Sequence, residues 1–242
     1  MERIDKIVSN YSSYTRSEVK KLIKSNLIKV NDVVVNKPET KVDEFSDVIK
    51  IEDKVLIIKD KVYLVLNKPK GVISATEDMY DETVLDLIDE EYLVRNIFPV
   101  GRLDKDTTGL LILTNDGDFS HSILSPKKNH KKIYKVKIDI PITDKMIDGF
   151  KKGVKLKDEK CKEAILDRIS TYEAYVTITE GKYHQIKRMF GCYEAKVVEL
   201  ERIQIGEFKL PEELQQGDYR ELTEEELELI KKWNINWYIF VL

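Results

Sequence analysis

Cysteine is nearly absent from this chain. Cys161 and Cys192 are its only thiols, neither lies in a paired metal spacing, and the three histidines, His121, His130 and His184, are scattered. Neither a metal site nor a disulfide framework is expected. Long apolar runs are missing too: nothing approaches the roughly 20 residues of a membrane span, and Met1-Glu2-Arg3-Ile4-Asp5 is charged where a secretory leader would be apolar. The expectation is a cytoplasmic protein that meets no membrane. The 10 glycines form no Walker loop, no G-x-G-x-x-G after a strand and no nucleophile elbow, and internal repeats are lacking. Any chemistry must then come from side chains and the substrate itself, with no cofactor.

What is there is ordinary in bulk and uneven in detail. The 242 residues, 42% of them hydrophobic, suffice for one large domain or for a small and a medium one. The net charge of −3 averages over blocks of opposite sign. Arg16, Lys20, Lys21 and Lys24 cluster early and Lys127, Lys128, Lys131, Lys132, Lys135 and Lys137 mid-chain, while glutamates crowd Glu212 to Glu228. Local basic patches, not the net figure, decide whether a polyanion docks.

Residues 1–59 read as a small unit. Ile4, Ile7 and Val8 predict a first helix; Thr15 with Glu18 predicts a cap, and Val19, Leu22 and Ile23 give a second helix its apolar stripe. Arg16, Lys20 and Lys24 recur at helical spacing and share a face, for which a solvated surface and an RNA backbone contact are both open readings. Ile28 to Asn36 reads as a hairpin around Asn31-Asp32, followed by a strand at Val48 to Ile51 and a linker at Asp53 to Asp60.

Residues 60–242 read as a second unit in which strands outnumber helices. Val62 to Leu66 is apolar enough to be buried on both faces, and Asn67-Lys68-Pro69-Lys70-Gly71 is a turn. A short helix is expected at Thr83 to Ile88, with further helices at Phe119 to Leu124 (halted by Pro126), Ile142 to Gly153, the stretch after Glu180, and Thr223 to Lys232. Strands are expected at Leu110 to Leu113, Ile133 to Ile138, Val154 to Leu156, Ala164 to Leu166, Ala174 to Ile178 and Val197 to Ile205. The fold class is therefore α+β, a mixed and mainly antiparallel sheet flanked by helices. The apolar end, Trp233 to Leu242, reads as an extra edge strand or a contact with another chain.

Everything is organised around Gly101-Arg102-Leu103-Asp104-Lys105-Asp106-Thr107-Thr108-Gly109, a polar, Gly-bounded loop that runs straight into the strand at Leu110. A carboxylate does chemistry only where its position is fixed, and a loop seated on a strand provides that. Taken with Asn67 to Gly71, Lys132-Ile133-Tyr134 and Glu180-Gly181-Lys182-Tyr183-His184-Gln185-Ile186-Lys187-Arg188-Met189-Phe190, this loop resembles the ordered motifs of the RsuA/RluB family of RNA pseudouridine synthases. The N-terminal unit resembles the αL RNA-binding domain named after a small-subunit ribosomal protein. Finer features, among them Ser120-His121-Ser122 and Gly217-Asp218-Tyr219-Arg220, resemble the branch acting on small-subunit (16S) ribosomal RNA more than the large-subunit (23S) branches.

The resemblance implies a monomeric enzyme that cuts the glycosidic bond of a flipped-out uridine and rejoins the base through carbon. By it, Asp104 is the reacting group, as a nucleophile or as a base, with Asp106 its neighbouring competitor. Tyr134 packs on the target ring, Arg102 fills the space the base leaves, Leu200 closes the pocket wall, and Lys187, or its neighbour Arg188, is a buried cation paired with Asp104. Arg16, Lys20 and Lys24 lie against phosphates, and the partner is ribosomal RNA or a ribosome assembly intermediate. The rival readings are the same chemistry on large-subunit RNA and a non-catalytic RNA-binding assembly protein.

Overall fold

In a computed structural model the described residues are 1–44, 46–56, 58, 61–125 and 128–232. The chain divides into two compact units, residues 1–62 with 88–97, and residues 63–87 with 98–242. Pro126, Lys127, part of the expected linker and the apolar stretch from Trp233 to Leu242 lie outside the described residues.

The first unit contains β1 (Glu2–Arg3), α1 (Ile4–Asn10), α2 (Arg16–Lys24), β2 (Ile28–Val30), β3 (Val33–Val34), β4 (Lys41–Val42), β5 (Ile49–Ile51) and β6 (Lys54–Val55). Strands β3-β2-β5-β6 form one sheet and β1 pairs with β4. The capping box is present: the Thr15 hydroxyl accepts from the Glu18 N–H, and the Glu18 carboxylate accepts from the Thr15 N–H at 2.8 Å. Asn31 and Asp32 both take positive φ, 49° and 65°, which lets a two-residue turn join β2 to β3. Val19 and Ile23 turn inward onto Ile4, Ile7 and Val8, which leaves Arg16, Lys20 and Lys24 exposed on the other side of α2. A helix that the apolar pattern did not announce, α3 (Glu90–Leu93), belongs to this unit, where the Arg95 guanidinium lies 5.4 Å from the centre of the Tyr11 ring.

The second unit is built on one sheet. Its elements are β7 (Tyr63–Lys68), β8 (Phe98–Pro99), β9 (Thr108–Thr114), α4 (Gly117–Leu124), β10 (Lys132–Ile138), α5 (Asp144–Lys151), β11 (Ile165–Arg168), β12 (Glu173–Ile178), α6 (Gln185–Gly191), β13 (Val197–Ile205), β14 (Phe208–Lys209), β15 (Tyr219–Glu221) and α7 (Glu224–Lys231). The strands lie in the order β11-β12-β10-β13-β9-β7-β15, with β14 on β13 and β8 on β9. Among the described strands only β9 and β13 pair in parallel, so the sheet is mixed and mainly antiparallel, as expected. Leu64, Val65 and Leu66 of β7 are fully buried, in keeping with their unbroken apolar run. One core joins Val65, Leu110, Ile112 and Ile205 of the sheet to Phe119 and Ile123 of α4 and Ile230 of α7; elsewhere α5 meets α6 through Phe150 and Phe190, ring centres 4.9 Å apart.

Two sequence expectations fail for local reasons. Thr83 to Ile88 is a turn, not a helix: Thr83 bridges to Ile73, and the Asp86 carboxylate accepts from both the Thr83 N–H (2.7 Å) and its hydroxyl (3.0 Å). Side-chain bonds of that kind compete with a helical ladder. Val154 to Leu156 makes no strand; Lys155 forms only an isolated bridge to Lys160. One glycine is indispensable to the sheet. Gly109 takes φ +98°, and a Cβ there would sit 2.3 Å from the Arg202 carbonyl oxygen, so a side chain would force β9 and β13 apart where they pair.

Candidate active site

The loop from Gly101 to Thr107 enters β9 and is fastened from beneath by the turn that follows β7. The Ser74 hydroxyl donates to the Leu103 carbonyl and accepts from the Leu103 N–H, both at 3.0 Å. The Gly71 N–H donates to the Lys105 carbonyl at 2.8 Å. Lys68, fully buried, reaches up with its ammonium to the carbonyls of Pro69 (3.0 Å), Thr107 (2.9 Å) and, more loosely, Lys105 (3.4 Å). Burial pushes the Lys68 amine down to about 8, against the pull of the nearby Asp106 and Asp104 carboxylates. Asp104 is thus held on both flanks through backbone carbonyls.

Above the loop, α6 delivers the cation. Lys187 Nζ lies 2.8 Å from Asp104 Oδ2 and also pairs with Asp106 Oδ1. Burial acting alone would lower the Lys187 pKa, but hydrogen bonds to Asp104 and Asp106 raise it. Asp106 shows the converse: burial works to raise its pKa, yet the Lys187 hydrogen bond and charge hold it below the ordinary carboxylate range. Arg188 is turned away and engages Asp158, Glu159 and the Tyr183 carbonyl. Of the two neighbouring cations, Lys187 is therefore the one at Asp104. One expectation needs correction. The side chains of Asp104 and Lys187 are 26% and 23% exposed, so the pair lies at an open rim and much of the desolvation expected of a fully buried pair is not incurred.

The remaining residues fall at different places. Leu200 of β13, opposite Val136 of β10, lines a cleft of about 260 Å³ together with Asp106, Thr108 and Lys70. Tyr134 is buried on β10, in register with Arg202 of β13, which is itself in register with Gly109 at the start of β9. Arg102 is exposed on the loop and forms no ion pair with any described residue, so a simple Arg102–Asp104 pair is not what the loop contains. Arg16, Lys20 and Lys24 belong to the other unit and are exposed there.

Three residues at or near the site are not among the sequence candidates, and a fourth, Asp106, has a part in it that the sequence does not assign. Lys68 follows Asn67 in the turn motif after the apolar run, and no local signal marks it as buried. Asp106, the neighbouring competitor, shares the ammonium with Asp104. His184 is one of three histidines scattered along the sequence, yet its Nε2 lies 3.5 Å from Asp104 Oδ1. Arg202 is 3% exposed; its Nε donates to the Leu110 carbonyl at 2.7 Å, while its buried Nη2 has no hydrogen-bond partner among the described residues.

The chain is similar to known proteins over nearly its whole length. Residues 62–191 match the RNA pseudouridylate synthase family and residues 2–49 match the S4 domain. A ribosomal small subunit pseudouridine synthase A of Vibrio cholerae is 39% identical over 232 residues, which is 95% of this chain and 100% of that protein. An uncharacterized RNA pseudouridine synthase of Bacillus subtilis is 38% identical over 95% of this chain and 98% of its own. A crystal structure of a pseudouridylate synthase superposes with a TM-score of 0.68 at 36% identity, over 95% of this chain and 100% of that one.

Proposed function

Because the chain belongs to the RNA pseudouridylate synthase family, we propose that it isomerises a uridine of small-subunit ribosomal RNA to pseudouridine in the cytoplasm, acting as a monomer with Asp104 as the reacting group. The observation that carries this reading is the Asp104–Lys187 pair at 2.8 Å, set on a pinned loop whose Asp106, two residues on, lines a cleft with Leu200. A carboxylate paired with an ammonium and fixed in position is suited to act as nucleophile or base. Pseudouridine formation needs such a group and no redox partner. Extruding the uridine costs a few kcal/mol. Tyr134 offers its ring to the base and Leu200 an apolar wall, and stacking of about 1–3 kcal/mol offsets much of the extrusion. The match of residues 2–49 to the S4 domain and the exposed Arg16, Lys20 and Lys24 support docking of the first unit on the RNA backbone.

The choice of small-subunit RNA rests on the 39% identity to an enzyme of that name across nearly the whole chain. The test has two parts. Asp104→Asn should abolish tritium release from ribosomal RNA labelled at uracil C5 while RNA affinity stays within about threefold, since the substitution removes the reacting charge and little contact area. Release that persists in Asp104→Asn refutes the role of Asp104. Mapping pseudouridines in both ribosomal RNAs of a deletion strain then decides the substrate: a site missing from the large-subunit RNA alone would move the assignment there.

A further inference from the structure

Tyr183 is out of place by any packing argument. It is 76% exposed, yet its ring lies flat against that of His184, centroids 3.8 Å apart and planes 18° from parallel. His184 in turn occupies the left-handed region, φ 46° and ψ 35°, at the residue that precedes α6, and its side chain makes no capping hydrogen bond there. Histidine enters that region more readily than most residues, and here the conformation fixes the direction in which its ring points. What the conformation achieves is placement: one ring edge faces Asp104 Oδ1 at 3.5 Å, on the carboxylate oxygen that Lys187 does not take, and one ring face carries Tyr183.

The turn bearing the two rings is braced on every side. Gln185, almost fully buried, accepts from the Lys182 N–H at 3.0 Å and donates to Glu180 at 2.8 Å. The Lys182 ammonium donates to the Lys160 carbonyl at 2.8 Å and pairs with Glu159 at 2.7 Å. The Tyr183 carbonyl accepts from Arg188 at 3.4 Å. A flat aromatic surface, exposed on one face, pre-set by its backbone and joined edge-on to the reacting carboxylate, suits a ligand with a π face. On an enzyme whose substrate is RNA, such a ligand at this distance from Asp104 is a nucleobase.

We propose that the stacked Tyr183–His184 pair is a platform for the base of a nucleotide flanking the target uridine. The proposal rests on the function argued above and extends it from the target base to its neighbour. Base stacking on an aromatic side chain amounts to about 1–3 kcal/mol and tolerates any base. At 1.4 kcal/mol per tenfold, its loss should weaken RNA binding by about 5- to 150-fold.

The test compares the full-length wild type with Tyr183→Ala, Tyr183→Phe and Tyr183→Leu, using transcribed small-subunit ribosomal RNA labelled at uracil C5. Affinity is read by filter binding, KM and kcat by tritium release. The platform requires Tyr183→Ala to lose affinity and raise KM by the stated factor, Tyr183→Phe to match the wild type, and Tyr183→Leu to fall between them, with kcat at saturating RNA within about threefold. Unchanged affinity in Tyr183→Ala overturns it, as does a Phe variant as weak as the Ala variant, which would make the hydroxyl and not the ring the contact. Wild-type protein that binds the RNA without releasing tritium would refute the assigned reaction on this RNA, and the Tyr183→Ala to wild-type affinity ratio would still decide the platform.

Discussion

Replacing Lys68 by methionine tests whether the Asp104 loop is held from beneath. The ammonium makes two well-formed bonds, to the carbonyls of Thr107 at 2.9 Å and Pro69 at 3.0 Å, and a longer one to Lys105 at 3.4 Å. Hydrogen bonds from a charged group contribute about 1.5–3 kcal/mol each, so the two good ones represent about 3–6 kcal/mol. Against this stands the burial cost: a fall from 10.5 to about 8 is roughly 2.5 pKa units, or about 3 kcal/mol recovered when the charge is removed. The net loss of stability should therefore be modest, about 0–3 kcal/mol. The effect on rate should be larger. Thr107 and Lys105 lie on the chain immediately after Asp104, and a displacement near 1 Å at a reacting group costs on the order of 100-fold. Lys68→Met should thus lower kcat roughly 10- to 100-fold while RNA affinity changes less than about threefold. Urea denaturation, filter binding and tritium release under one buffer separate the three quantities. A variant that loses stability yet keeps wild-type kcat would refute the argument, because the carbonyl bonds would then support the fold and not the position of Asp104.

Lys187→Met should reduce kcat strongly and Lys187→Arg less so, since the arginine restores the charge but not the geometry of one nitrogen shared by Asp104 and Asp106; equal activity in both variants would contradict the pairing. The alkaline side of the stability profile is a separate test. Lys68 and Lys132 are both pushed down to about 8 by burial, with Arg202 and Lys162 adding to the effect at Lys132. Between about pH 8 and pH 10.5 the unfolded chain holds protons that these folded-state amines have released, so stability rises with pH there; below pH 8 the cost of burying both charges is present in full. Lys132→Met should flatten that rise by about 2 kcal/mol between pH 8 and 9.5, and an unaltered slope in denaturation at the two pH values would count against the shift. Neutralising Lys20 and Lys24 together should lower the slope of log affinity against log salt by about 2, and a slope that does not move would argue against docking through α2.

Most of the elements were legible in the residues, because their signals are local. The capping box at Thr15, the Asn31-Asp32 turn, the strand from Ile133 to Ile138 and the unbroken apolar run of β7 each depend on neighbours a few positions apart, and each forms as expected. Where a short-range competitor intervened the reading failed, as at Thr83 to Ile88, whose Asp86 bonds outcompete a helical turn.

The site divides along the same line. Residue types and their order determined the family and pointed to the loop from Gly101 to Gly109, with Asp104 and Lys187 as candidates. Only the folded chain decided which of Lys187 and Arg188 faces the carboxylate, that Asp106 shares the ammonium, that Lys68 lies buried beneath the loop and that His184 stands beside Asp104. Residues some 80 positions apart meet because β13, which follows α6 in the chain, pairs in parallel with β9 across Gly109, and the distance that results is a property of sheet packing, which no short window of sequence contains.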